Sequence, residues 1–210
     1  MEKSSPKFIV VEIFLIFAFI MAQIWVLPRH WILSTAALLF LIVSWHYRKD
    51  TLKTVGLLPE DFSQAKPIFI LVFASLETMA IIAFFINPNF WEQANFWNNI
   101  NGQFRRYIGW ALLQQLLLHG YFTNRLQIVF KKPLPTAITA GILFSIAHLP
   151  NPILVITTFV FGGASSYFFL KSRNLYILAL AHAILGTAIK YLIADPLLDH
   201  PLRIGPDFWN

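Results

Sequence analysis

Seven apolar runs of membrane-crossing character, separated by short polar connections, constrain this chain more than any other feature. They cover approximately Phe8 to Leu27, Trp31 to Trp45, Ile68 to Ile86, Tyr107 to Phe130, Thr136 to Leu149, Ile153 to Leu170 and Leu175 to Ile193. A hydrocarbon core of roughly 30 Å takes about 20 apolar helical residues, fewer where neighbouring helices shield the segment. Backbone N–H and C=O groups find no water there, so each run must satisfy its own hydrogen bonds as a helix. With 57% of its 210 residues hydrophobic and only 12% charged, the chain carries more apolar surface than a soluble core absorbs. The expected fold is all-α, a polytopic transmembrane bundle of about seven helices. No polar or Ser/Gly-rich linker divides it, so residues 1–210 are expected to form a single integral membrane domain.

The formal net charge of +6 does not point to nucleic acid, because the basic residues sit mostly at the ends of the apolar runs. If the runs alternate in direction, Lys3, Lys7, Arg48, Lys49, Lys53, Lys66, Lys131, Lys132, Lys171 and Arg173 fall on one side. That side is expected to be cytoplasmic, which puts the N-terminus inside and the C-terminus outside. The expected location is a bacterial inner (plasma) membrane, with the lipid bilayer as a constant partner. The first run follows Lys3 and Lys7 as a signal peptide would, but no small-residue cleavage site succeeds it, and it is read as a retained helix. The chain has no cysteine, which excludes a thiolate nucleophile and any Cys-ligated metal.

Polar and ionisable groups inside a membrane are costly and carry functional weight. Here they are Gln114, Gln115 and His119 in the fourth run, His148 in the fifth, His182 in the seventh and Glu77 in the third. At about 1.5 Å of rise per residue, His119 lies roughly 21 Å below Arg105 and His148 roughly 20 Å above Pro135, so these groups can share one central layer. Gln115 and His119 are four residues apart on one helix face, while Gln114 turns about 100° away. Three histidines on three helices, His119, His148 and His182, can bind a divalent metal such as zinc or hold a water by hydrogen bonds. The same residues also serve as interhelical hydrogen-bonding glue in many bundles. The cofactor is therefore either absent or a divalent metal.

Three stretches carry a resemblance. They are Gln114-Gln115-Leu116-Leu117-Leu118-His119-Gly120, then Phe144-Ser145-Ile146-Ala147-His148, then His182-Ala183-Ile184-Leu185-Gly186. In order and spacing they resemble the EExxxR, FxxxH and HxxxN motifs of the CPBP family of intramembrane proteases, which includes the CAAX prenyl endopeptidases and bacteriocin-processing or self-immunity proteins. The resemblance spans roughly Arg105 to Lys190. It implies a water activated for peptide hydrolysis by the first motif glutamate together with the motif histidines. Phe144, His148 and His182 match; Gln114 and Gln115 replace the two glutamates, His119 the arginine and Gly186 the final asparagine. An amide has no titratable proton near neutral pH, and losing a positioned base ordinarily removes about 10²–10⁴ in rate.

Two arrangements would keep the chain an enzyme. In one, His119, His148 or His182 is the general base, and Gln114 or Gln115 orients the water or donates to the oxyanion. In the other, Glu77 supplies the carboxylate from the third helix. Phe144, Asn151 and Gly186 are expected to border the substrate cavity, with Pro150 and Pro152 ending the fifth helix beside it. Gly162 and Gly163 are read as a packing site, and Glu12 and Lys190 as side chains that snorkel to the membrane surface. The expected function is a CPBP-like intramembrane endopeptidase acting on a membrane-associated peptide or protein. The alternatives are a non-proteolytic scaffold, immunity or substrate-binding protein of the same fold, and a small transporter.

Overall fold

In a computed structural model of the chain, residues 6–26, 31–59, 61–92, 95–198 and 202–209 are described. They are predominantly helical, without strands, and form seven rods. The first three are α1 (Pro6–Trp25), α2 (Trp31–Arg48) and α3 (Ala65–Ile86). The fourth runs unbroken from α4 (Phe96–Gln115) through a π-helical segment (Leu116–Thr123) into α5 (Asn124–Phe130). The last three are α6 (Pro133–Ile146), α7 (Pro152–Ser172) and α8 (Leu175–Ile189), the last continuing as a second π-helical stretch over Lys190–Ala194. The all-helical bundle expected from the apolar runs is the fold observed. Among the described residues four rods are long and apolar enough to cross a bilayer by themselves: Pro6–Trp25, Ala65–Ile86, Pro152–Ser172 and Leu175–Leu197.

Local chemistry sets the ends of these rods. Pro133 and Pro152 occupy the first turns of α6 and α7, where a missing N–H costs nothing. Asn151 caps α7 by accepting from the Leu154 N–H at 3.0 Å, and Asn174 caps α8 by accepting from the Ile177 N–H at 3.3 Å. Lys131 and Arg173, with φ of 58° and 47°, turn the chain out of α5 and α7. α6 matches its apolar run in length but starts and ends three residues earlier. It ends at Ile146, and His148 lies in the tight turn that follows rather than on the helix, because Pro150 has no N–H to bond the Ile146 carbonyl and disfavours a helical Leu149 before it.

Burial ranks the rods. Over half of the α8 span is buried, 56%, against 22% for α1 and 17% for α3, so α8 is the central post and α1 and α3 are outer staves. The outer faces carry Phe14, Phe73, Phe85 and Val160, apolar side chains suited to lipid. α6 and α7 approach most closely where a Cβ on Gly141 would stand 2.7 Å from the Phe159 carbonyl oxygen and 2.9 Å from the Gly163 nitrogen. This contact gives the Gly162-Gly163 pair its place in packing.

One expectation is overturned at the end of the bundle where α2, α5 and the α7–α8 turn meet. Glu12 does not snorkel outward; it is buried and joins α1 to its neighbours. Its carboxylate accepts from Ser44 Oγ at 2.6 Å, from the Arg48 guanidinium, from Tyr121 Oη at 3.2 Å and from Arg125 Nε at 3.4 Å. Arg125, itself 1% exposed, also pairs with Asp50 at 2.6 Å. Beside it Arg173 donates to the Thr54 carbonyl at 2.8 Å and to Asn124 Oδ1 at 2.7 Å, which ties the α2–α3 loop to α5. Burial pulls the Arg173 guanidinium below its ordinary pKa, and the Asp50 carboxylate opposes that shift. Lys190 is held at the surface by Asp195, 2.6 Å away.

Candidate functional site

The polar residues singled out in the sequence divide into a buried network and a cavity, with α8 at their boundary. Gln115 faces inward from α4 and is fully buried. Its Oε1 lies 2.6 Å from His119 Nε2, and its Nε2 lies 3.0 Å from His182 Nδ1. Behind it, His119 Nδ1 is 3.3 Å from Thr123 Oγ1 and 3.4 Å from Ser166 Oγ, and its ring stacks on Phe169. Local backbone geometry makes this possible. His119 and Thr123 both lie in the π-helical segment, whose wider turn recurs at functional sites, and Thr123 Oγ1 donates back to the Leu118 carbonyl at 2.9 Å.

The cavity, about 150 Å³, opens between α4, the turn after α6, α7 and α8. Tyr107 and Gln114 line it from α4, His148 from the turn, and His182 and Gly186 from α8, while Leu202 and Ile204 of the C-terminal tail border it too. Gln114 Oε1 is buried without a hydrogen-bond partner among the described residues. His148 Nδ1 lies 2.6 Å from the Phe144 carbonyl oxygen, so Nδ1 carries the proton and the lone pair is left on Nε2. Phe144 braces both histidines with its ring, at 4.7 Å between centroids from His148 and 5.8 Å from His182.

Several expectations are refined by this placement. Gln114 and Gln115 do serve different faces of α4, but Gln115 holds histidines while Gln114 meets the cavity. His119 stays behind Gln115 and does not line the cavity beside His148 and His182. The three imidazoles therefore do not direct lone pairs at one point: His119 and His182 have both ring nitrogens engaged, and His148 has Nδ1 engaged. Among the described residues no group of three His, Cys, Asp or Glu side chains is arranged to hold a metal ion, and these residues do not fit one. Glu77 is exposed on the outer face of α3 and lines neither the cavity nor the groove beside it, because the α3 residues that turn inward are Ile68, Val72 and Ala83. Asn151 is consumed as the α7 cap and by the Arg203 carbonyl at 3.3 Å, and it does not line the cavity.

Tyr107 was not singled out by sequence reasoning. Its Oη lies 3.0 Å from His182 Nε2. Gly186 makes the room: a Cβ there would stand 2.6 Å from the Tyr107 ring. A glycine one turn after an intramembrane histidine was the available signal, since it marks where a bulky ring from another helix can lie.

A second, more apolar groove of about 260 Å³ runs between α3, α7 and α8, and shares Thr157, Phe161, Leu185 and Ile189 with the cavity wall. Fold and site together define an integral membrane protein with a polar site enclosed by α4, α7 and α8. Residues 96–188 match the family model described as Type II CAAX prenyl endopeptidase Rce1-like. The resemblance carried by the three motifs is thus shown over that segment, which starts at α4 and ends within α8. No curated protein and no solved structure matches the chain.

Proposed function

We propose that the protein is an intramembrane endopeptidase in which His148, rather than a carboxylate, activates the attacking water. The observation that carries this reading is the fixed His148 ring, with Nδ1–H committed to the Phe144 carbonyl and Nε2 left basic, in a cavity that Gln114 also lines. A water needs two acceptors for its hydrogens, and we assign these to His148 Nε2 and to Gln114 Oε1, which has no other hydrogen-bond partner among the described residues. The water oxygen attacks the scissile carbonyl carbon as His148 Nε2 takes a water proton. The tetrahedral intermediate then collapses, the C–N bond breaks, and His148 returns the proton to the leaving amine. Gln114 orients the water and stays chemically unchanged. Substrate reaches the cavity along the groove between α3 and α7, whose apolar walls suit a segment arriving from lipid. No prenyl group or particular sequence is implied.

Purified protein in liposomes with a panel of membrane-anchored peptides tests this. Cleavage is expected from wild type, and equally from Glu77→Gln, since Glu77 lies outside the site. Cleavage lost in Glu77→Gln would move the base to α3, and wild type that binds but cuts no peptide would favour the non-proteolytic scaffold.

The orientation we propose is N-terminus in the cytoplasm and C-terminus outside. It rests on the basic connections and on the contacts joining Arg48, Arg125 and Arg173 at one end of the bundle. Reporters fused after Lys132 and Arg173 are expected inside, and after Asn151 outside. A cytoplasmic reporter after Asn151 would reverse it.

A further inference from the structure

We infer that Tyr107 is a catalytic hydrogen-bond donor whose proton is aimed into the cavity by Gln115, acting through His182 as a positioning residue. The inference rests on the peptidase reading for the role of that proton, but not for its direction. The direction follows from the two different ends of the Gln115 amide. Its oxygen faces His119 Nε2 at 2.6 Å, and an oxygen only accepts, so His119 Nε2 carries a proton. Its nitrogen faces His182 Nδ1 at 3.0 Å, and an amide nitrogen only donates, so His182 Nδ1 holds the lone pair. A neutral imidazole with a bare Nδ1 has its proton on Nε2, the nitrogen 3.0 Å from Tyr107 Oη. The phenol oxygen therefore accepts from His182, and its own proton is released towards the cavity that Tyr107 lines.

One polarised chain results, running from His119 through Gln115 and His182 to Tyr107, every link donating in the same direction. The cavity then holds the complement of a hydrated amide: two acceptors, His148 Nε2 and Gln114 Oε1, for a water, and one donor, Tyr107 Oη–H, for the carbonyl oxygen that becomes an oxyanion. A carboxylate in place of Gln115 would accept from both imidazoles. It would move the His182 proton to Nδ1, turn the phenol proton back to Nε2 and remove the donor from the cavity. The amide is thus a working part of the site. Gly186 completes it by leaving space for the ring.

The test is nitrogen NMR of the full-length chain, labelled with ¹⁵N-histidine and reconstituted in nanodiscs, with His182 assigned by the signal lost in His182→Asn. The expected wild-type spectrum has a protonated Nε2 and an unprotonated Nδ1 at His182. Tyr107→Phe keeps that tautomer and Gln115→Glu reverses it. In the cleavage assay Tyr107→Phe lowers kcat by about 10²–10³-fold with KM little changed. A protonated Nδ1 at His182 in wild type overturns the inference without needing any variant to fold, and so does an undiminished kcat in Tyr107→Phe. Failure of the peptidase reading has a different signature: the expected tautomer with no cleavage by wild type, which would remove the catalytic role and leave Tyr107 as the terminus of a structural chain.

Discussion

Replacing His148 with alanine is expected to lower turnover of a reconstituted membrane peptide by about 10²–10⁴-fold, the usual contribution of a positioned general base. The cavity offers few other bases. Gln114 is an amide, Tyr107 is a phenol already bonded to His182, and His182 has both ring nitrogens engaged. His148 lies in a turn with one ring nitrogen anchored on its own backbone, so its removal subtracts a base without unpicking the Gln115 network. KM should change little, because a water base contributes mainly to the transition state. Gln114→Glu, in contrast, is expected to be tolerated or to raise turnover, since it adds a carboxylate to the cavity wall. The assay compares kcat for the three proteins after chromatography confirms that each is folded. Wild-type turnover in His148→Ala would remove His148 from the mechanism.

Glu12→Leu is expected to give the largest loss of stability, about 3–5 kcal/mol, because it strips an acceptor from several buried donors at once. Arg48 and Arg125 would face each other with Asp50 alone to offset them, and Ser44 and Tyr121 would lose a partner. Removing one member of a buried ion cluster costs more than the cluster contributes, since the remaining charge is neither hydrated nor paired. Glu12→Leu combined with Arg125→Met should therefore recover part of the loss, a coupling that independent sites would not give. Thermal unfolding of the three proteins in detergent measures this. A Glu12→Leu midpoint at the wild-type value would mean that the cluster does not hold α1 in place.

The bundle was legible because its physics is coarse: runs of apolar residues long enough for a bilayer read directly as helices, and the seven rods follow them closely. The pairing of Gln115 with His119 was legible for a similar reason, since a spacing of four puts two residues on one helix face. His148 and His182 came from motif spacing and do border one cavity. What the sequence did not reveal depends on which way a side chain turns. Glu12 and Glu77 look alike in the sequence, each a lone acid in an apolar helix, yet one is buried among arginines and the other is exposed. Their neighbours on other helices decide this, and those neighbours are distant in the chain. The π-helical segment leaves no periodic trace over so few residues. Tyr107 carried no signal of its own, and the missing Cβ of Gly186 is what gives it a place beside His182.

The most direct test of the account is hydrolysis by the purified wild-type protein in liposomes, with a membrane-anchored peptide in H₂¹⁸O and products resolved by mass spectrometry. Two fragments are expected, with a single ¹⁸O in the new terminal carboxyl group from a one-turnover digest, and neither fragment from His148→Ala. Intact peptide after exposure to wild type and to Gln114→Glu alike, across a panel of bound substrates, would contradict it.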